Sequence, residues 1–354
     1  MNDDTTAVRS EDALDVARVH AWLQTHAPDV VAPGSAPPSL RQFAGGASNL
    51  TYLLTYGDVD FVLRRPPRGH KASSAHDMKR EVTVQQRLRP LYPLVPKVLA
   101  FCDDPTVLGD EFYVMGRVPG TILRRDLPSG LTLSPAQARE LAFTVIDAQA
   151  DLHMIDPVAA GLDDLGRGPG YVQRQVSGWS RRYRDAVTDD APDADSVMAW
   201  LELHRPDDIA ARLIHGDWRL DNLVLDLGDE PSIAGVLDWE MATVGDPMMD
   251  VGASLAYWIT EEDEAPFRLM RMQPTNLPGM PSRDEYVARY LDRTGFEVDD
   301  WLFYEVYGLF RLAVIAQQIW FRYRLGESTN PALAKFGPAV SMLIDRAARR
   351  LASR

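Results

Sequence analysis

Two short segments carry side chains whose types and order suit phosphoryl transfer. The first runs Leu213-Ile214-His215-Gly216-Asp217-Trp218-Arg219-Leu220-Asp221-Asn222-Leu223-Val224-Leu225, an apolar strand that breaks into polar residues and returns to an apolar strand. Within it Asp217 and Asn222 stand with four residues between them. The second, Val236-Leu237-Asp238-Trp239-Glu240, puts another Asp at a strand end sixteen residues after Asn222. Phosphoryl transfer to a hydroxyl needs one carboxylate to accept or orient the hydroxyl proton. It also needs an amide and a second carboxylate to hold Mg²⁺ against the nucleotide phosphates. Asp and Asn favour turns for their own backbone bonding, so each segment alone reads equally as an ordinary turn. In this order, behind a five-strand region, the two together favour the chemistry.

Those groups need elements to hold them. Residues 1–9 are expected to be disordered, and Asp12 to His26 has a helical apolar face in Leu14, Val19, Trp22 and Leu23. A proline-rich linker follows, and then short strands at Leu40 to Phe43, Leu50 to Tyr56 and Val59 to Arg64, with Gly57-Asp58 as a hairpin turn. A helix from Asp77 to Leu88 leads to strands at Lys97 to Cys102 and Glu111 to Val118. Beyond Pro119-Gly120 helices dominate: Pro135 to His153 with Ser134 as its cap, Tyr171 to Ala186, and Ser196 to His204. Strands are expected again at Ala211 to Ile214, Leu223 to Asp226 and Ile233 to Leu237. Helices then run from Pro247 to Trp258, Arg283 to Thr294, Trp301 to Leu325 and Pro331 to Ala352. This divides the chain into an N-terminal extension with one helix (1–39), a small antiparallel sheet with one helix (40–118) and a mainly helical remainder (119–354).

With these motifs in this order, the chain resembles the aminoglycoside phosphotransferase and choline-kinase-like family, which shares the protein-kinase fold. The match runs from about Leu40 to Trp258 and more loosely to the C-terminus. The resemblance implies an α+β, two-lobed fold: a small antiparallel-sheet N-lobe, a mainly helical C-lobe, and ATP between them. It implies Asp217 as the catalytic carboxylate and Asn222 and Asp238 as Mg²⁺ ligands. Arg219 falls where protein kinases carry a lysine on the transferred phosphate. Gly45, Gly46 and Ser48 fall at the family's phosphate loop, where glycines let the backbone approach phosphate, although Gly-Gly suits a plain hairpin as well. Strand alternation puts Val62 and Arg64 on one face, and Arg64 takes the place of the kinase lysine that grips phosphates. Glu81 on the next helix is its expected partner. Met115, Gly116 and Val118, at the end of the last N-lobe strand, would line the adenine site. Asp246 reads as a helix cap and Asp250 as a brace for the catalytic loop. His215 reads as a residue that fixes that loop. Trp218 is either a wall of the substrate cleft or loop packing.

The acceptor is the least determined part. At 100° per residue Tyr304, Tyr307, Arg311, Gln318 and Arg322 share one side of an otherwise apolar helix. Either they face a water-filled cleft, where the arginines would suit an anionic acceptor, or they form a solvated face. Phe61-Val62-Leu63-Arg64-Arg65-Pro66-Pro67 and Tyr307-Gly308-Leu309-Phe310-Arg311 resemble the family branch fused to some acyl-CoA dehydrogenases. That implies a hydroxy acid or hydroxyacyl-CoA, although no dehydrogenase domain is expected within these residues. An aminoglycoside resistance kinase is one alternative, supported by the net charge and the Glu261-Glu262-Asp263-Glu264 run. A non-catalytic nucleotide-binding regulator is another. The formal charge of −14, from 37 Lys plus Arg against 51 Asp plus Glu, argues against nucleic acid as a partner. The single cysteine, Cys102, excludes an intrachain disulfide and Cys-based zinc motifs. No signal peptide or spanning segment is apparent, so a cytoplasmic small-molecule kinase using ATP and Mg²⁺ is expected.

Overall fold

A computed structural model of the chain describes residues 5–43, 49–67, 77–228, 230–328 and 330–353. The chain divides into two units. One holds the chain up to Thr121 together with Leu223–Leu227 and Ile233–Ala242, and the other holds Ile122–Asn222, Gly228–Ser232 and the chain from Thr243 onward.

The first unit begins with β1 (Thr5–Thr6), α1 (Val16–His26), β2 (Ser39–Phe43), β3 (Leu50–Tyr56), β4 (Val59–Arg65), α2 (Met78–Leu88), β5 (Val98–Cys102), α3 (Pro105–Leu108) and β6 (Phe112–Gly116). Its strands form an antiparallel sheet in the order β1-β2-β3-β4-β6-β5. Gly57 takes φ 58° in the β3–β4 turn, a conformation glycine adopts without steric cost. Along β4 the side chains alternate as expected of a strand with both faces covered. Leu63 packs with Val19, Leu23, Tyr52 and Leu54 on the α1 side. Val62 packs with Met78, Val82, Tyr113 and Met115 on the α2 side.

The N-terminal segment is therefore part of this unit's core rather than a separate extension. Its first described residues are not disordered either. Thr5 and Thr6 pair with Phe43 and Gln42, and Arg41 holds Thr5 through Oγ1 at 2.6 Å and through the carbonyl oxygen at 2.7 Å. Helix α1 starts later than Asp12 because Asp15 is its cap, accepting from the N–H groups of Ala17 and Arg18.

The chain continues into the second unit with α4 (Pro135–His153), α5 (Tyr171–Asp185), α6 (Asp195–Leu203) and β7 (Arg212–Ile214). Next, β8 (Leu223–Asp226) and β9 (Ser232–Val236) pair with each other, and most of both lies in the first unit. There Leu225 and Thr121 exchange backbone bonds, and the Val236 N–H donates to the Leu94 carbonyl. The second unit resumes with β10 (Thr243–Gly245), paired to β7, and then α7 (Pro247–Leu255), α8 (Ala265–Leu269), α9 (Arg283–Thr294), α10 (Leu302–Arg324) and α11 (Phe336–Ala352). Pro331–Lys335 is a 3₁₀ turn rather than the start of α11. Pro338 has no N–H to extend the α ladder backward.

Helix α10 runs through the centre of the helical core, with Tyr304, Tyr307, Phe310 and Val314 buried among residues of α4, α5, α7, α9 and α11. It crosses α7 at two glycines. A Cβ on Gly252 would stand 2.3 Å from the Tyr304 carbonyl oxygen. None of the helices among the described residues is long and apolar enough to cross a membrane.

Candidate active site

Strand β7 ends at Ile214 and delivers the chain to a fully buried His215 and then to Gly216, which turns the backbone at φ 82°. This glycine is gripped from two helices. Its N–H donates to Asp250 Oδ1 on α7 at 2.8 Å, and its carbonyl oxygen accepts from Arg311 Nη2 on α10 at 2.8 Å. The second carboxylate oxygen of Asp250 accepts from Gln149 Nε2 at 3.3 Å and lies 3.1 Å from His153 Nε2. Behind these, Tyr286 donates to Gln149 Oε1 at 2.7 Å, and Tyr290 lies 2.7 Å from His153 Nδ1. Burial alone would push the Asp250 carboxyl up. The hydrogen bond and charge of His153, with the charge of His215 and the Gly216 N–H, outweigh it and hold the group below the usual carboxylate range. Four helices thus fix one turn of backbone in front of Asp217.

Within the loop, Asn222 Nδ2 donates to the Asp217 carbonyl at 2.9 Å and to Asp217 Oδ2 at 3.1 Å. This leaves the amide oxygen of Asn222 as the atom able to meet a cation. The Asp217 side chain keeps about a quarter of its surface exposed, 25%, so the carboxylate is reachable. Arg219 lies with Nε 3.3 Å from Asp217 Oδ1 and Nη2 3.1 Å from Asp221 Oδ2, its guanidinium 4.7 Å from the centre of the Tyr257 ring. The Leu220 N–H donates to Gln273 Oε1 at 2.6 Å. Trp218 resolves to loop packing: it is 3% exposed and its ring stands edge-on to His215 at 5.9 Å.

In the first unit, Arg64 on β4 spans two carboxylates. Nη1 is 2.8 Å from Glu81 Oε1 on α2, and Nη2 is 2.8 Å from Asp238 Oδ1. Tyr113 donates to the same Glu81 oxygen at 2.9 Å, and Gln85 donates to the Tyr113 hydroxyl at 3.1 Å. Burial disfavours the Arg64 charge, but Glu81, Tyr113 and Asp238 outweigh it and hold the guanidinium protonated. Asp238 has φ 66° and ψ 64°, the left-handed region, and is the only such non-glycine among the described residues. That conformation costs roughly 1–2 kcal/mol for an L-residue, least for Asp and Asn. Carboxylate and amide oxygens such as those of Asp238 and Asn222 are each hard donors of the kind Mg²⁺ takes.

Val62 and Met115 belong to the apolar cluster on the α2 side of the sheet. The Gly116 N–H is taken by the Lys97 carbonyl at 3.0 Å. Val118 packs over Gly235, where a Cβ would come within 3.0 Å of Val118 Cγ1. Gly45, Gly46 and Ser48 lie outside the described residues. Asn49, the next residue described, donates from Nδ2 to Glu240 Oε2 at 2.8 Å.

The residues of the polar stripe expected on α10 differ in burial. Tyr304 and Tyr307 are core residues, Arg311 is buried and bound to Gly216, and Arg322 is exposed with Nε 3.3 Å from the Gln318 carbonyl. A helical wheel gives an angle but not what covers it, and neighbouring helices cover the N-terminal part of α10 on all sides. Arg311 braces the loop that leads to Asp217. Gln149, His153, Tyr286, Tyr290, Gln273 and Tyr257 escaped notice in the sequence because no local motif marks them. They reach the loop from positions far away in the chain.

The model of the family described as "Phosphotransferase enzyme family" matches residues 39–297. The chain belongs to this phosphotransferase family. Mouse acyl-CoA dehydrogenase family member 10 is 34% identical to this phosphotransferase over 95% of the chain and 31% of the relative. The chain spans less than half the length of the curated relatives it matches. A Ralstonia eutropha protein described as an aminoglycoside phosphotransferase has a structure with TM-score 0.78 and 31% identity, covering 95% of this chain and 99% of that one. Choline kinase from Cryptosporidium parvum, at 12% identity and TM-score 0.63 over 96% of both chains, shares the fold. The chain has the α+β, kinase-like architecture of this family.

Proposed function

We propose that this phosphotransferase moves the γ-phosphoryl group of ATP, with Mg²⁺, to a hydroxyl of an anionic or neutral small molecule such as a hydroxy acid or a hydroxyacyl-CoA. The observation that carries the proposal is the held but reachable carboxylate of Asp217, its loop pinned at Gly216 by Asp250 and Arg311. A general base must be fixed before the acceptor arrives, because misplacement loses proximity and orientation. Asp217 would take the proton of the acceptor hydroxyl as its oxygen bonds to Pγ and the bridging bond to the departing ADP breaks. Asn222, through its amide oxygen, and Asp238 would ligate Mg²⁺, which when bound neutralises charge on the phosphates. Arg64 would grip phosphate oxygens, and Arg219 would leave its Asp217–Asp221 bridge to meet the transferred group. Val62, Met115, Gly116 and Val118 would line the adenine, with Gly45, Gly46 and Ser48 as phosphate loop.

Two observations support the acceptor class. The relatives that the chain matches over nearly its whole length are named for acyl-CoA dehydrogenases. The acidic run that favoured a polycationic aminoglycoside is met by the protein's own arginines: Asp263 by Arg283 and Arg346, Glu261 by Arg268, and Glu264 by Arg349. Carboxylates matched in this way offer a polyamine little. The test is an ADP-release assay with Mg-ATP against 4-hydroxyacyl-CoA, free hydroxy acids and kanamycin-type amines. Turnover on the first two classes is expected. Efficient turnover confined to the amines would overturn the acceptor class, and ATP binding with no acceptor turned over would favour a regulator.

A further inference from the structure

We propose that Arg80 is a positioning residue for Asp238, holding the turn from Asp238 to Ala242 so that the carboxylate is set for Mg²⁺. The proposal rests on the reading that Asp238 is a metal ligand. Asp238 opens a single 3₁₀ turn, Trp239–Met241, which closes when the Ala242 N–H donates to the Trp239 carbonyl. A helical turn leaves N–H groups without partners at its start and carbonyls without partners at its end. Two consecutive residues of α2 supply complementary partners. At the start, the Trp239 N–H hydrogen-bonds to Glu81, which also reaches Asp238 through Arg64. At the end, Arg80 Nη1 donates to the Glu240 carbonyl at 3.0 Å and Nη2 donates to the Ala242 carbonyl.

The anionic side chain thus meets the donor end of the turn and the cationic one its acceptor end, which is the favourable sense of the backbone dipoles. A guanidinium fork meets two carbonyls at once, and a lysine ammonium in its place would satisfy them less well. Burial pulls the Arg80 guanidinium below its ordinary value against the pull of Asp77, so the contact is made at some desolvation cost. The remaining sides are also closed. Trp239 is buried with Nε1 donating to the Val236 carbonyl at 2.8 Å, and Asn49 holds the Glu240 carboxylate. The left-handed backbone of Asp238 is a conformation that persists only where its surroundings over-determine it. Arg80 is the contact that ties the far end of that turn to α2. Without it the turn is free to relax and to carry the Asp238 carboxylate away from its place.

The test is Mn²⁺ titration by EPR of protein carrying a non-hydrolysable ATP analogue, with nucleotide affinity measured separately without metal. Arg80→Met is expected to weaken Mn²⁺ about 10-fold or more, and Arg80→Lys to recover part of the loss. Metal-free nucleotide affinity should stay within about two-fold. In turnover the KM for Mg²⁺ should rise while kcat at saturating Mg²⁺ stays near wild type, a split that general loosening of the fold would not produce. Wild-type Mn²⁺ affinity in a folded Arg80→Met variant overturns the proposal. Should that variant not fold, unchanged Mn²⁺ affinity in Arg80→Gln, which retains one donor group, overturns it instead. Asp238→Asn separates the two levels. Retained Mn²⁺ binding there removes Asp238 as a ligand, and with it the premise. Lost binding there beside unchanged binding in Arg80→Met removes only Arg80's role.

Discussion

Arg311 donates from Nη2 to the carbonyl oxygen of Gly216, 2.8 Å away, in the residue next to Asp217. A hydrogen bond from a charged donor is worth about 1.5–3 kcal/mol. Arg311→Ala is therefore expected to lower kcat about 10-fold or more for every acceptor while leaving the KM for ATP nearly unchanged. Steady-state kinetics on several acceptors checks this. A loss confined to anionic acceptors would return Arg311 to a substrate-binding role.

Gly308 and Gly252 set the distance between the two helices that carry Arg311 and Asp250. A Cβ on Gly308 would stand 1.9 Å from the Gly252 carbonyl oxygen, and a backbone atom cannot swing aside as a flexible side chain would. Gly308→Ala should cost about 3 kcal/mol or more, or leave the protein insoluble. Urea unfolding measures it, and a midpoint within error of wild type would show that the crossing has slack.

Asp246 gives the protein a slope of stability with pH. Burial pushes its carboxyl up to about 6, although the N–H groups of Ile209 and Met249 pull the other way. In the unfolded chain such a group titrates near 4. Between those values the folded state keeps a proton that the unfolded state has released. The Asp246 contribution is then largest below about pH 4 and is lost as pH rises through about 6. The total is of order 3 kcal/mol, at about 1.4 kcal/mol per unit. Asp246→Asn cannot ionise and should lack this component. Urea midpoints of the two proteins from pH 4.5 to 7 should diverge, and parallel curves would contradict the assignment.

Arg64 holds Glu81 and Asp238 with separate nitrogens of one fork. Arg64→Ala should raise the KM for ATP about 10-fold or more. Arg64→Lys should restore only part, since an ammonium lacks the planar fork that holds both carboxylates. Arg65 belongs to the opposite face of β4, with Asp110 3.8 Å from Nη2, and Arg65→Ala should leave the KM for ATP nearly unchanged. The reverse pattern would place the phosphate-gripping arginine on the wrong face.

What could be read in advance was what local pattern encodes. The start of α4 was legible because Ser134 caps it and Pro135 takes its first position. The register of β4 was legible because alternation puts Arg64 and Val62 on the α2 side. Strands β1 and β10, of two and three residues, are too short to alternate visibly and exist because Arg41 and β7 hold them. The supports of Asp217 were only partly legible. Asp250 follows a recognisable capped start at Asp246-Pro247, whereas Gln149, His153 and Gln273 are single polar residues on otherwise unremarkable segments. Arg311 stands out by its position on the wheel, but its bond to Gly216 spans 95 residues of chain and no local pattern encodes it.

The central claim is that Asp217 serves phosphoryl transfer to a hydroxyl. The most direct measurement is mass spectrometry of a 4-hydroxyacyl-CoA acceptor after incubation with Mg²⁺ and ATP, run beside Asp217→Asn with nucleotide binding checked by calorimetry. Wild-type protein should add one phosphoryl group to the acceptor. The variant, which keeps the shape but cannot take the proton, should do so about 10²-fold or more slowly while binding nucleotide normally. Transfer at an undiminished rate by Asp217→Asn would contradict the account.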